Sequence, residues 1–313
     1  MAIPLSAAGA GVVDLSLVHR SSTEEVFLRS ARRTGLDRHV GAVRLPRRHR
    51  YFNDHPDPRT DPLLLLECCR QFGSYLAHTA YDVPMDTAFL VKGWSVATAD
   101  VPPSDPDVEI EAEVADRVMR GGNLRAANLR MRMTSQGRWL ADITIAVGYA
   151  GPEEYRALRA LQHGGGTVPN SDDLPGATRA DQLDAAAAGR THQDNSLLAG
   201  VRRTDTGGYA ELSVDPRHPT LFGHSNDHFT ALTLTDAARQ LAIATGGHAE
   251  PPALAGFDCS FSRFAELDQP VLLTSTAEGD SEVRVVVRQR GRQVADISLA
   301  FAPAASRHQP LEV

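Results

Sequence analysis

From Leu63 to about Thr79, apolar residues fall around most of a helical circumference, which predicts one helix buried on several sides. Asp61-Pro62 opens it, since aspartate is a favoured N-cap and proline is tolerated at the first helical position. Alternation around Phe89–Ala99, Val108–Val118, Leu124–Thr134 and Trp139–Tyr149 predicts consecutive strands, with turns at Gly121-Gly122 and Gln136-Gly137. Upstream, Val40 to Leu45 alternates as a strand and stops at Pro46, and Glu25 to Leu28 reads as a short strand or strand entry. The polar, basic stretch from Arg29 to Arg38 reads as a solvated turn. Pro46 to Pro62 is a loop carrying His49, Tyr51, Phe52, Asp54 and His55. Beyond the strands, Pro152 to Gln162 predicts a helix, Gly164 to Pro175 has the composition of a linker, and Ala180 to Ala188 predicts a short helix.

The pattern then returns. An offset of 169 carries Glu67, Arg70 and Gln71 onto Asp236, Arg239 and Gln240, and His49 and His55 onto His218 and His224. At 170, Arg20 and Glu25-Val-Phe-Leu28 match Arg190 and Asn195-Ser-Leu-Leu198. Gly137 to Ala146 is echoed by Gly291 to Ala300 at only 154, so the second copy is shorter by 15 residues, a difference expected in hairpin loops. The chain therefore reads as a first domain over 1–150, a helix and linker over 151–184, and a second domain over 185–313. The shared element places polar residues inside an apolar helix.

At 313 residues each copy has room for its own core, and 42% hydrophobic with 23% charged residues is ordinary for a soluble globular protein. No apolar run approaches the roughly 20 residues needed to span a bilayer. The opening Met1-Ala-Ile-Pro-Leu-Ser6 lacks the layout of a signal peptide, so a cytoplasmic protein without membrane association is expected. A net charge of -7 and the lack of a helix-turn-helix signature argue against a nucleic-acid partner. Lys92 is the only lysine among 32 basic residues. Such Arg and Ala enrichment is typical of GC-rich genomes such as those of actinomycetes, and it lowers the weight of any single arginine. Adjacent Cys68 and Cys69 with distant Cys259 give neither a zinc spacing nor a disulfide framework.

A strand, a histidine-bearing loop, a long buried helix with an interior acid and an antiparallel meander together resemble the hotdog fold. That is an α+β unit whose antiparallel sheet wraps one central helix. Hotdog units pair, with acyl-thioester chemistry between two helices, and a tandem (double) hotdog supplies the pair within one chain. More specific are Val18-His19-Arg20, Pro46-Arg-Arg-His49-Arg-Tyr-Phe52 and Asp61-Pro-Leu-Leu-Leu-Leu-Glu67 with Arg70-Gln71. The second copy adds Asn195-Ser-Leu-Leu198, His218-Pro-Thr-Leu-Phe222, Asp227-His228 and Ala237-Ala-Arg239-Gln240. Over roughly residues 18 to 300, this set is similar to the A-factor biosynthesis (AfsA-like) family.

The resemblance implies a γ-butyrolactone synthase, an acyltransferase moving a β-ketoacyl group from an acyl carrier protein to the hydroxyl of dihydroxyacetone phosphate. The ester then cyclises to a butenolide phosphate on the way to a signalling lactone. No metal or redox cofactor is implied, because the pantetheine arm arrives on the donor. One departure matters. After Asp227-His228 the family continues Val-Pro-Gly-Met with a helical Glu, whereas this chain has Phe229-Thr230-Ala231-Leu232 and Asp236. The shorter acid favours a site around the first helix.

Glu67 in its Leu-rich face has a raised pKa unless a cation compensates, which would suit a general base for the attacking hydroxyl. The alternative is a pair with Arg70, or with Arg239 across the helices, that fixes register. Arg239 is the candidate for holding phosphate or the developing oxyanion from the opposite helix, because guanidinium offers two parallel donors. Arg70 is a substrate contact or a strut. Asp227-His228 carries the resemblance as a unit, with His228 a catalytic candidate. His49, His55, His218 and His224 are loop anchors or substrate contacts, and Asp236 joins the substrate-binding set. Gln71 and Gln240 are expected on backbone or on the acid. The Arg44, Arg47, Arg48, Arg50 cluster reads as a solvated strand end, with docking of an acidic carrier protein as the alternative. Two rival functions fit the same pattern. One is a hotdog dehydratase or thioesterase; the other is a non-catalytic acyl-ligand-binding regulator.

Overall fold

The computed structural model describes residues 13–99, 107–165, 167–176, 179–247 and 250–302; the stretch Met1–Ser6 lies outside them. The first copy runs β1 (Leu28–Arg33), β2 (Arg38–Arg44), α1 (Pro62–Ala80), β3 (Ala88–Thr98), β4 (Asp107–Arg120), β5 (Asn123–Ser135) and β6 (Arg138–Ala150). Helix α2 (Pro152–His163) follows. The second copy has β7 (Leu198–Thr204), β8 (Gly207–Leu212), β9 (His228–Phe229), α3 (Ala231–Thr245) and β10 (Leu254–Phe261). It closes with β11 (Ala265–Glu266), β12 (Leu272–Ala277), β13 (Glu282–Gln289) and β14 (Arg292–Phe301).

Twelve strands form one antiparallel sheet in the order β1-β2-β4-β5-β6-β3-β10-β14-β13-β12-β8-β7, while β9 and β11 pair separately. The order reads the same from either end in terms of the two copies, so this is the expected tandem hotdog, joined where β3 meets β10. Two glycines let those edges close. A Cβ on Gly93 or Gly256 would sit 2.6 Å from the carbonyl oxygen of Cys259 or Val96.

Each copy buries one helix. Asp61 caps α1 by accepting from the Leu63 N–H at 2.9 Å. Leu63, Leu64, Leu65, Leu66 and Phe72 are at most 1% exposed, each worth about 1.5–3 kcal/mol in transfer free energy. Thr230 caps α3, which buries Leu234, Ala237, Ala238 and Leu241 in the same way. Among the described residues no helix is long and apolar enough to cross a membrane.

Three expectations change. The polar run Arg29–Arg38 is not simply a turn: it supplies most of β1, which can be polar because it is an edge strand with little buried surface. Ala180–Ala188 is not a helix. Gln182 bridges to Ala199 and its side chain donates to the Ser196 carbonyl, so the segment is spent on covering the β7 edge. The shortening of the second copy lies in strands rather than loops, since β12 and β13 have 6 and 8 residues where β4 and β5 have 14 and 13.

Candidate active site

Helix α1 turns Glu67 inward, leaving 1% of it exposed. Arg20 donates Nε to Oε1 at 3.0 Å and brings Nη2 to 2.7 Å from the same oxygen. Arg70, one turn along the helix, donates Nε to Oε2 at 2.7 Å and Nη2 to Oε1 at 2.8 Å. Gln71 Nε2 adds a third donor at 2.7 Å. Burial alone pushes this carboxyl up, but Arg20 and Arg70 outweigh it and hold the pKa at about 2. Cations do compensate, so Glu67 stays ionised. It anchors two guanidiniums and is poorly suited to accept a proton near neutrality. Glu25 is a second carboxylate whose charge acts on both Arg20 and Arg70.

Arg20, Glu67 and Arg70 belong to the wall of a cavity of about 940 Å³ whose apolar lining includes Leu90, Val91, Leu129, Ile145, Val147 and Leu234. An apolar groove with a few polar groups is the usual form of a small-molecule site. The second copy contributes His228, whose Nδ1 lies 2.6 Å from Asp227 Oδ1. A carboxylate only accepts, so the ring proton sits on Nδ1 and the Nε2 lone pair is left for a ligand. Asp227 also accepts from the Tyr155 hydroxyl at 2.8 Å and from Arg159 Nε at 2.9 Å. Burial pushes Asp227 up, but His228 and then Arg159 bring it well below the usual carboxylate range. Arg159 is clamped in turn by Glu266 at 2.6 Å. Helix α2, read from sequence as part of the connection, is thus a wall of the site.

His19 lines the same cavity. His78 Nδ1 lies 2.7 Å from the Val83 carbonyl oxygen, and His78 Nε2 lies 2.8 Å from His19 Nε2. Since a carbonyl only accepts, the neutral pair has its protons on His78 Nδ1 and His19 Nε2. Burial, then the Arg70 charge, push His19 down to about 3, so it is neutral at neutral pH.

The duplicated position is closed. Asp236 is fully buried, with Arg190 and Arg239 each at 2.5 Å and Gln240 Nε2 at 2.9 Å. Burial pushes Asp236 up, and Arg190 and Arg239 carry it well below the usual range. Tyr51 stands where the repeat offset gives Thr220, and its hydroxyl donates to Asp236 Oδ2 at 2.6 Å. Thr220 instead donates to Glu25 at 2.9 Å. Asp61 stands where the offset gives Thr230, and both its oxygens accept from Arg239 Nη1 at 2.9 Å. Pro58-Arg59 replaces Asp227-His228. Two carboxylates balance two guanidiniums, and the space beside them is about 260 Å³.

Of the residues expected to form the site, Glu67, Arg70, His224, Asp227 and His228 line the larger cavity, and His55 and Arg239 line the smaller one. Arg239 does not face Glu67. Each helical arginine packs on the acid of its own helix, and Arg239 then meets the cap of the other helix, Asp61. His49 accepts from the Tyr51 and Phe52 N–H groups at 3.2 Å, and His218 accepts from the Leu221 N–H at 3.2 Å, so both brace their loops. Gln71 and Gln240 tie the helices to the Glu25 and Asn195 carbonyls at 2.7 and 2.9 Å. His55 Nε2 is buried without a partner among the described residues, and His224 is an exposed loop residue bonded to the Ser225 carbonyl. Arg44 pairs with Asp107, Arg50 pairs with Asp194, and none of the cluster of four lines the larger cavity.

The wall residues His19, Arg20 and Tyr155, and Arg159 which holds Asp227, were not among the residues expected to form the site, although His19 and Arg20 carried the family resemblance. Arg20 had a usable signal, its repeat as Arg190. Tyr155 and Arg159 had none, because α2 has no counterpart in the other copy among the described residues.

Comparison with known proteins agrees with the tandem hotdog fold. The A-factor biosynthesis hotdog domain (AfsA) family matches residues 5–149 and 173–304. A 2-oxo-3-(phosphooxy)propyl 3-oxoalkanoate synthase of Streptomyces coelicolor is 32% identical, across 94% of this chain and 91% of the relative. One of the same name from Streptomyces griseus is 29% identical, across 90% and 91%. Among solved structures, the 12:0-ACP thioesterase from Umbellularia californica superimposes with a TM-score of 0.51 at 14% identity, covering 87% of this chain and 99% of that one. At that identity the likeness speaks for the fold alone.

Proposed function

This chain belongs to the A-factor biosynthesis hotdog family, and on that premise we propose that its larger cavity transfers a 3-oxoacyl group to the hydroxyl of dihydroxyacetone phosphate. The ester so formed is the product named for the Streptomyces relatives, and it is the precursor of a butenolide phosphate and a γ-butyrolactone-type signal. The proposed donor is an acyl carrier protein in the cytoplasm, with the acyl group on its pantetheine arm and no further cofactor.

His228 Nε2 takes the hydroxyl proton as the acceptor oxygen attacks the thioester carbon. Asp227 holds the ring in the required tautomer and stabilises the imidazolium. The C–S bond then breaks and the leaving thiolate takes the proton back from His228. Arg70, with Arg20 beside it, binds the acceptor phosphate, and Glu67 fixes both guanidiniums so that little ordering remains for the ligand to supply. The acyl chain lies along the apolar wall of β3, β5 and β6.

The observation that carries the reading is a pair of guanidiniums on the wall of the same cavity as an Asp-oriented histidine. A thioesterase or dehydratase acts on the thioester alone and has no use for a phosphate site. The test mixes protein with a 3-oxoacyl thioester, with and without dihydroxyacetone phosphate, and follows products by mass spectrometry. Acceptor-dependent ester or butenolide phosphate is expected. Acceptor-independent free 3-oxo acid overturns the reading, as does an enoyl product from a 3-hydroxyacyl thioester offered in parallel.

A further inference from the structure

Every exposed charged residue that lines the larger cavity is a cation: Lys92 on β3, Arg263 between β10 and β11, and Arg292 at the start of β14. None of the three has an ion-pair partner among the described residues. Several other sheet arginines are matched by carboxylates, as in Arg132–Asp142 at 2.8 Å and Arg284–Asp296 at 2.7 Å. The same rim carries Leu158 and Leu161 of α2, 37% and 82% exposed. An unpaired cationic arc beside two bare leucines, around the opening of an acyl-sized groove, is an unfinished surface.

We infer that this rim docks an acidic carrier domain that delivers the acyl thioester on its flexible arm. Lys92, Arg263 and Arg292 meet the carrier's carboxylates, and Leu158 and Leu161 meet an apolar patch beside its prosthetic serine. Unpaired rim cations raise the encounter rate with an acidic partner and orient it, and salt screens them. The basic run at Arg44 to Arg50 has no such position, because none of it lines the cavity.

The inference rests on the acyl-transfer reading and names the donor's landing place. Its test uses the full chain and two donors with the same 3-oxoacyl group: one on an acidic acyl carrier protein, one on free pantetheine, which has neither protein nor phosphate. In Lys92→Glu/Arg263→Glu/Arg292→Glu, KM for the carrier-bound donor should rise by about tenfold or more, and wild-type KM for that donor should rise with salt. The pantetheine donor should react within about twofold of wild type, which also reports that the variant is folded, and the acceptor KM should not move. Leu161→Ser should give a smaller rise of the same selectivity. Equal losses with both donors, an effect on the acceptor, or no effect at all would overturn the docking site. Wild-type protein inert with both donors would overturn the acyl-transfer reading, and the docking site with it.

Discussion

The two copies place the same acid-x-x-Arg-Gln core on the same kind of helix, yet Glu67 and Arg70 line a cavity of about 940 Å³ while Asp236 is enclosed and Arg239 borders a space of about 260 Å³. The framework is shared down to its braces. Gln71 and Gln240 tie helix to loop alike, and Arg20 and Arg190 repeat as the outer guanidinium. The difference comes from side chains that the fold does not need. A tyrosine bonds Asp236 where a threonine leaves Glu67 on the cavity wall, and an aspartate cap pairs with Arg239 where the threonine cap offers Arg70 no carboxylate. The two copies thus share what holds the helices in place and differ in the side chains around the acid.

Inserting the closed copy's plug into the open one has the largest expected effect. Thr220→Tyr should cut turnover by about a thousandfold or more, since a 1 Å misplacement alone can cost about a hundredfold. Melting should move by only a few degrees, and normal turnover would show that the cavity next to Glu67 is not used. Arg239→Ala makes the converse case. It strands Asp61 and leaves Asp236 with one guanidinium, so stability should fall by about 3–5 kcal/mol in denaturant titration, with turnover per folded molecule within about twofold. A selective loss of acceptor binding would put Arg239 in the working site after all.

Asp227→Asn should lower kcat by about ten- to a hundredfold, because the amide no longer selects the His228 tautomer. The acid limb of the pH profile should move with it, and an unchanged profile would remove His228 as the base. Stability has an acid limb of its own. His19 and His218 drop from 6.5 unfolded to about 3 and about 4 folded, burial being the main cause. Below pH 6.5 the unfolded chain therefore binds more protons than the folded one, and stability declines from there. Glu67, at 4.5 unfolded and about 2 folded, adds a second loss as pH falls through that interval. A denaturation midpoint that holds steady from neutrality down to about pH 4 would contradict these burial assignments.

Much of the fold was legible because the sequence states it twice: the capped apolar helix, the alternating strands and their glycine turns all recur. The edge strand β1 was missed since little of its surface is buried, so hydrophobic alternation had nothing to report. Within the site, the pairing of Glu67 with Arg70 follows from i,i+3 spacing alone. The assignment of phosphate to Arg239 misled because a local motif cannot tell which helix cap an arginine meets. Comparing aligned positions, Asp61 with Thr230 and Tyr51 with Thr220, holds that information, but it acquires meaning only once the cap of each helix is seen beside the arginine of the other.

The most direct test of a working site built around Arg70 is the KM for dihydroxyacetone phosphate in Arg70→Ala, measured with a pantetheine-bound 3-oxoacyl donor. Loss of a charged hydrogen bond to phosphate is worth about 1.5–3 kcal/mol, so KM for the acceptor should rise about ten- to a hundredfold while the donor KM holds. An unchanged acceptor KM in a folded Arg70→Ala protein would contradict the account.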